Sequence, residues 1–395
     1  MKKLMVLGAG FPQAQLINAA KEMGYRTVVC SIPGDYPGFS CADEVAYADI
    51  SSPEEVLQAA KDFHADGIAT CCLDTGVRAL GYACEKLGYP GLSETAAIRS
   101  ADKWQMKNAF MDAGVNTARC YQVTSRESLG EALGKLVLPV VVKAVDLQGS
   151  KGVYICRTAE EAFAAFDEAM RLTRRDYCIV EEFIEGNELG AQAFVYKGEI
   201  VFVLPHGDNT YMSKTAVPIG HYVPIDASES VIEAAKEQSE KAIRALGLDN
   251  CAVNIDLIER DGKIYVIELT GRAGATALVE LVSIYYGMDY FKMIAAMAMG
   301  DDPLAIFNAR DGKAVANASR MLLSEKSGVV KRIENTVPMD EHVYDLTLII
   351  KEGDTINKFT NAKDRIGQVI VSGKTAQECL YRIDEILTQI KIEVE

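Results

Sequence analysis

The chain has 395 residues, about half apolar and a quarter charged, which is enough for two or three packed layers rather than one ordinary core. A formal net charge of −15 argues against a general nucleic-acid binder, which needs clustered Lys and Arg, but a few cations inside a cleft can still hold a phosphate. Ten scattered cysteines contain no C-x-x-C pair and read as reduced thiols, and no apolar run approaches a membrane span, so a cytoplasmic protein without nucleic-acid or membrane partners is expected.

Residues 1–97 alternate strand and helix. Leu4–Leu7 is a short apolar strand ending at Gly8-Ala9-Gly10, and Leu16, Ile17, Ala20 and Met23 then recur at helical spacing. Thr27–Ile32 and Gly67–Cys72 read as further strands. Ser52-Pro53-Glu54-Glu55 has the form of a helix start, with Ser52 as N-cap and Glu55 closing a capping box. Such alternation predicts a doubly wound parallel sheet. The first glycine loop lacks the third glycine of a dinucleotide fingerprint, and the second strand ends without a carboxylate for a ribose, so a nicotinamide site is disfavoured. No GxxxxGK[ST] loop is present either.

From Ser93 the pattern changes. A helix carrying Lys103 and Lys107 precedes strands at Leu138–Val145, Gly152–Cys156 and Tyr177–Ile184, with a helix over 158–172 between the last two. Paired strands follow at Gly190–Leu204 and Ala252–Thr270, then strands at Val343–Ile350 and Ile366–Val371. Thr375 caps a closing helix whose Leu380, Ile383, Leu387 and Ile390 face one way. Three compact parts fit this order better than one.

Four segments bear chemistry. Lys143 ends a β-branched strand, and the following Gln148-Gly149-Ser150-Lys151-Gly152 loop can close over a polyphosphate with backbone N–H groups. Glu181-Glu182-Phe183-Ile184 runs from a strand toward a Gly turn, where free backbone groups can read adenine and Glu188 can accept from ribose hydroxyls. Asn254 and Asp256 share one strand face, as do Glu268 and Thr270 on the next. A three-residue Arg260-Asp261-Gly262 loop is expected, pairing residue 256 with 266 and 254 with 268. The two carboxylates then become diagonal neighbours on one face, suited to magnesium and triphosphate oxygens. A two-residue Asp261-Gly262 loop would instead pair 256 with 267 and separate them. Their apolar flanks imply burial, which is costly without a cation. Lys103 offers a further cation from the preceding helix.

In this order and spacing the segments resemble the ATP-grasp superfamily, and the resemblance covers nearly the whole chain. It implies an α/β fold in three parts. These are a preATP-grasp domain (1–97), an ATP-grasp α+β core of two subdomains clasping ATP (98–304, with a mobile lid over 115–186) and a small C-terminal α+β domain (305–395). It implies Lys103 and Lys143 on the phosphates, Gln148, Gly149, Ser150 and Gly152 in the covering loop, Glu181 to Ile184 as adenine hinge and Glu188 on the ribose. Asp256 and Glu268 would hold Mg2+, with Mn2+ as a substitute ion, and Arg272 would steady the transferred phosphoryl group. One departure is Thr270, where the family usually has Asn; Asn254 is the residue that could compensate.

The implied activity is an ATP-dependent carboxylate–amine ligase, acting on a small carboxylate and an amine through an acyl phosphate. Gly220-His221-Tyr222-Val223-Pro224 resembles the Gly-His-x-x-Pro stretch of amino-acid ligases and places His221 near substrate, with His206 and Lys214 as lesser candidates. A purine-pathway enzyme acting on a ribonucleotide is the alternative, and a biotin carboxylase lacks its Glu-His-Pro-Val-Thr-Glu stretch here. A homodimer is the one macromolecular assembly this reading leaves open.

Overall fold

A computed structural model describes residues 1–149, 151–212 and 216–395, so Ser150 and Lys214 lie outside the described residues. The chain forms two compact units. The first comprises Met1–Leu204, Glu229–Ala273 and Phe291–Leu304, and the second Pro205–Ser228, Gly274–Tyr290 and Ala305–Glu395.

The first unit opens with β1 (Lys3–Leu7), β2 (Arg26–Ser31), β3 (Glu44–Tyr47) and β4 (Gly67–Ala69), a parallel sheet in the order β3-β2-β1-β4. Leu4 to Leu7 are fully buried, as expected of a parallel strand covered on both faces. Gly67 has no room for a side chain, because a methyl there would meet the carbonyl of Ala298. Ser52 accepts from the Glu55 amide, but Glu55 closes back onto the Asp49 amide rather than onto Ser52. In the first glycine loop, the Gln13 side chain is buried, bonds the Cys71 carbonyl at 2.5 Å and fills the space beside Gly8 and Gly10.

Next come β5 (Cys120–Val123), β6 (Val140–Ala144), β7 (Val153–Cys156) and β8 (Cys178–Glu182), an antiparallel sheet in the order β5-β8-β6-β7. Helices Arg126–Leu133 and Ala159–Leu172 lay Leu129, Ala162 and Phe166 on its Val140, Val142 and Val180 side chains. The remaining strands in chain order are β9 (Asn187–Tyr196), β10 (Glu199–Met212), β11 (Ala216–Val223), β12 (Cys251–Arg260) and β13 (Lys263–Thr270). The first unit runs β13-β12-β9-β10, and β10 passes into the second unit after Leu204.

The second unit adds β14 (Ala316–Leu322), β15 (Gly328–Asn335), β16 (Val343–Leu348), β17 (Thr355–Ile356), β18 (Gly367–Gly373) and β19 (Ile390–Val394). Its larger sheet runs β10-β11-β14-β18-β16, and its smaller one runs β17-β15-β19. Helix Ala376–Thr388, capped by Thr375, buries Cys379, Ile383 and Ile386 against Ala318, Val369 and Val371. Ile390, expected on that helix face, opens β19 instead. All ten cysteines are thiols, eight of them buried. Among the described residues, no helix is long and apolar enough to cross a membrane.

Candidate active site

The β12–β13 hairpin corrects the expected turn. Arg260 pairs with Lys263 across a two-residue turn whose Asp261 and Gly262 have φ of +54° and +77°. Both central residues are left-handed, as the twist of a tight hairpin favours and as Asp-Gly readily supplies. The carboxylates nevertheless share a face. The register shifts between Asp256 and Leu257, leaving Ile267 as an extra residue on β13, so that Asp256 stands directly opposite Glu268 and Asn254 opposite Thr270. The expected 256–266 and 254–268 pairings are therefore wrong, while the shared face is restored by a bulge rather than by the loop.

Burial differs from expectation too. Asp256 is exposed, Glu268 half-buried and Thr270 buried. Asn254 does not lie against Glu268. It donates to Asp256 at 3.1 Å and accepts from the wholly buried Gln192 at 2.7 Å, an amide relay that orients the Asp256 carboxylate.

Helix Lys103–Asp112 presents Lys103 and Lys107 one turn apart, hence on the same side. The Lys103 ammonium donates to Glu268 and to the Leu147 carbonyl, both at 2.9 Å, joining β13 to the loop that follows β6. Lys107 is fully buried, 3.3 Å from Glu181, and donates to Thr117 at 2.6 Å; the Thr117 hydroxyl in turn donates to the Val266 carbonyl at 2.7 Å. Lys143 on β6 pairs with the other oxygen of Glu181. One buried carboxylate is thus shared by two ammoniums. Burial pulls the Lys107 ammonium below its ordinary pKa. Burial also opposes charge on Lys143 and Glu181, but Glu181 more than offsets it for Lys143, and the two lysines more than offset it for Glu181. Glu181, expected in the hinge, therefore has its side chain turned to the lysines.

Elsewhere in the hinge, the amides of Glu182 and Phe183 already bond the carbonyls of Arg119 and Pro139, at 2.9 and 3.4 Å, so the expected run of free groups is shorter. Phe183 is half-buried, Ile184 buried and Glu188 exposed at the start of β9. In the loop expected to cover phosphates, Gly149 and Gly152 are both left-handed, and a methyl on Gly152 would crowd Ala144. Gln148 is exposed, with its side-chain oxygen 3.4 Å from the Thr75 hydroxyl. Arg272 is held by Asp74, with both its Nε and an Nη nitrogen 2.6 Å from one carboxylate oxygen. Burial works against its charge, but Asp74 offsets that and keeps it protonated. Asp74, Lys107 and Thr117 carry no motif that marks them as partners in the sequence. Lys107 could have been found from its spacing of four from Lys103.

The second unit holds its own ionic cluster. Asp208 on β10 stands directly opposite His221 on β11, and His206 lies two residues earlier on the same face. One Asp208 oxygen is 2.8 Å from His206 Nδ1 and 2.6 Å from His221 Nδ1. Burial lowers the His206 pKa, leaving that ring neutral, while the two imidazoles hold Asp208 well below the usual carboxylate range despite its burial. Among the described residues, His206 Nε2 is buried without a hydrogen-bond partner. Gly220, the glycine of the Gly-His-x-x-Pro stretch, is required by packing, since a methyl there would strike the Ser319 carbonyl.

Comparisons with known proteins place the chain in a family. Residues 101–211 match the family model for the phosphoribosylglycinamide synthetase ATP-grasp (A) domain. A crystal structure of phosphoribosylglycinamide synthetase from Anaerococcus prevotii is 49% identical, covers 100% of both chains and superposes with a TM-score of 0.88. The chain belongs to the ATP-grasp superfamily. Within that superfamily, residues 320–395 match the model for the L-amino acid ligase C-terminal domain 2. The L-amino acid ligase structure from Bacillus licheniformis shares the fold, with a TM-score of 0.84 at 19% identity over 100% of this chain and 99% of that one. Alanine–anticapsin ligase of Bacillus subtilis (strain 168) is 25% identical over 63% of this chain and 58% of its own. This ATP-grasp chain thus spans less than two thirds of the length of that curated relative.

Proposed function

We propose that this protein is an ATP- and Mg2+-dependent ligase that activates a small carboxylate as an acyl phosphate and transfers the acyl group to an amine. The observation that carries the reading is the position of Lys103. Its ammonium bonds both Glu268 and the carbonyl of Leu147, so the carboxylate strand and the phosphate loop converge on one cation.

The donor set fits a magnesium ion. Asp256 and Glu268 are hard oxygen donors facing each other, and Glu268 already holds a positive partner in Lys103. Asp256 and Glu268 would hold the ion, with Thr270 and Asn254 beside them and Mn2+ able to substitute. When bound, it would neutralise charge on the triphosphate. Lys103 and Lys143 supply the phosphate cations. The loop from Gln148 to Gly152, including Ser150, covers the phosphates, and the segment from Glu181 to Ile184 with Glu188 receives the adenosine. Arg272, fixed by Asp74, steadies the transferred group.

A carboxylate oxygen attacks the γ-phosphorus as the bond to ADP breaks. The amine then attacks the acyl carbon, phosphate leaves, and the amine loses a proton. His221 belongs to the substrate side in this reading. The three-part division at 97 and 304, with a lid over 115–186, a cytoplasmic location and a homodimer are parts of the same proposal.

The match of residues 320–395 to an L-amino acid ligase domain favours amino-acid substrates. The likeness to the phosphoribosylglycinamide synthetase of Anaerococcus prevotii favours the alternative of a phosphoribosyl substrate. The test is ADP release across amino-acid pairs, across glycine with phosphoribosylamine, and across phosphoribosylglycinamide with formate. Hydroxylamine is added to trap any acyl phosphate as a hydroxamate. Hydroxamate from an amino acid, lost in Glu268→Gln, is expected. Turnover by Glu268→Gln equal to wild type would sink the metal site, and turnover only with a phosphoribosyl substrate would select the alternative.

A further inference from the structure

We infer that Lys107, which no substrate atom can reach, is a positioning residue that keeps the charge of Lys143 available to the nucleotide phosphates. The inference rests on the reading of Lys143 as a phosphate ligand.

The geometry sets out the electrostatics. Glu181 is buried and binary in its contacts, with one oxygen on Lys143 and the other 3.3 Å from Lys107. If Lys107 were absent, Glu181 and Lys143 would form a neutral pair, and an approaching phosphate would meet almost no net field from them. With Lys107 protonated, as the Glu181 carboxylate favours against the cost of burial, the three groups sum to one positive charge. Lys107 itself is 1% exposed and is pinned by Thr117, so the excess charge can be expressed only at Lys143, the end of the cluster on strand β6 next to the phosphate loop. A buried cationic excess is costly by itself and is relieved by an anion. The cluster is therefore built to be completed by a phosphate. Thr117 also joins Lys107 to the Val266 carbonyl on β13, so the same ammonium links the strand bearing Glu181 to the strand bearing Glu268.

The test compares Mg-ADP with adenosine, because the phosphates feel this field and the uncharged adenosine does not. Lys107→Met is expected to weaken ADP binding by roughly 10- to 100-fold, the effect of one unit charge across about 6–8 Å at an interior dielectric. Adenosine binding should stay within about twofold, since adenosine carries no phosphate. The double variant Lys107→Met/Glu181→Gln removes the neutralising carboxylate as well, and should bring ADP affinity back toward wild type. A purely packing role for Lys107 predicts the opposite, a double variant worse than the single one. Thr117→Val, which keeps the lysine and frees its ammonium, gives a smaller shift of the same sign and guards against a Lys107→Met chain that does not fold. The inference alone is overturned if wild type prefers ADP over adenosine and Lys107→Met keeps that preference, or if the double variant is no better than the single. A wild type with no such preference overturns the phosphate reading of Lys143, and the inference with it.

Discussion

The two units each hold a carboxylate between two nitrogen bases, Glu181 buried and Asp208 half-buried, and the difference between the bases decides what each cluster can do. In the first, Glu181 sits between Lys107 and Lys143. In the second, Asp208 sits between His206 and His221. A lysine ammonium is a far weaker acid than an imidazolium, so the lysine cluster holds a positive excess over a wider pH range even though burial lowers the Lys107 pKa. An imidazole gives up its proton at little cost when buried, so the histidine cluster adjusts its charge instead. A permanent excess suits an anionic ligand. An adjustable one suits a neutral or cationic group, or no ligand at all.

The largest expected effect tests the first half of this contrast. Glu181→Gln leaves two buried ammoniums without their shared anion, and should cost about 3–5 kcal/mol of stability, the usual range when one partner of a buried pair is removed. The deficit should shrink as pH rises toward about 9. Burial has already lowered the Lys107 pKa, so the folded variant sheds that proton more readily than the unfolded chain, and stability rises with pH. Chemical denaturation at pH 7 and pH 9 reads both. A variant as stable as wild type at pH 7 would mean that the cluster does not hold two charged lysines.

The second cluster should respond less. Asp208→Asn keeps an acceptor for one imidazole and loses a hydrogen bond to the other, so a cost of about 1–3 kcal/mol is expected. The same denaturation curves compare it with Glu181→Gln. A larger loss for Asp208→Asn than for Glu181→Gln would overturn the distinction between the two sites.

What the sequence made legible has a physical boundary. Residues that act through local pattern were readable: the lysine ending a β-branched strand, the left-handed glycines of the loop that follows it, and the alternation that puts Asp256 and Asn254 on one face. The hairpin turn was legible in Asp261-Gly262, but in a regular ladder such a two-residue turn separates the carboxylates, which made the longer loop look necessary. The bulge that reconciles them falls at Ile267, where neither glycine nor proline marks it. Partners across the chain were not readable at all. Arg272 and Asp74 are 198 positions apart, and Lys107 reaches Glu181 only because a helix and a strand pack together. Asp208 was two residues from His206, a spacing that β-alternation could have exposed.

The smallest effects separate charge adjustment within the second unit, where two groups pull stability in opposite directions with pH. His206 is held neutral by burial, so the unfolded chain takes up a proton first, and the stability it contributes is present above about pH 6.5 and lost as pH falls below it. Glu280, in the first turn of helix Leu278–Tyr286, has its pKa pushed up to about 7 by burial, with Asp345 adding to the shift and Arg365 opposing it. Its stability is present below about pH 4.5, the ordinary glutamate range, and lost as pH rises through 7. Between those limits the two partly cancel, and wild-type stability should be flat. His206→Asn should leave a curve that falls with rising pH. Glu280→Gln should leave one that falls toward acid, with a gain over wild type on the order of 1 kcal/mol at pH 8, discounted because Glu280 is only half-buried, and none at pH 4. Thermal unfolding from pH 4 to 8 distinguishes them. If both variants keep the wild-type profile, neither group titrates with folding, and the adjustability assigned to the histidine cluster is absent from the folded protein.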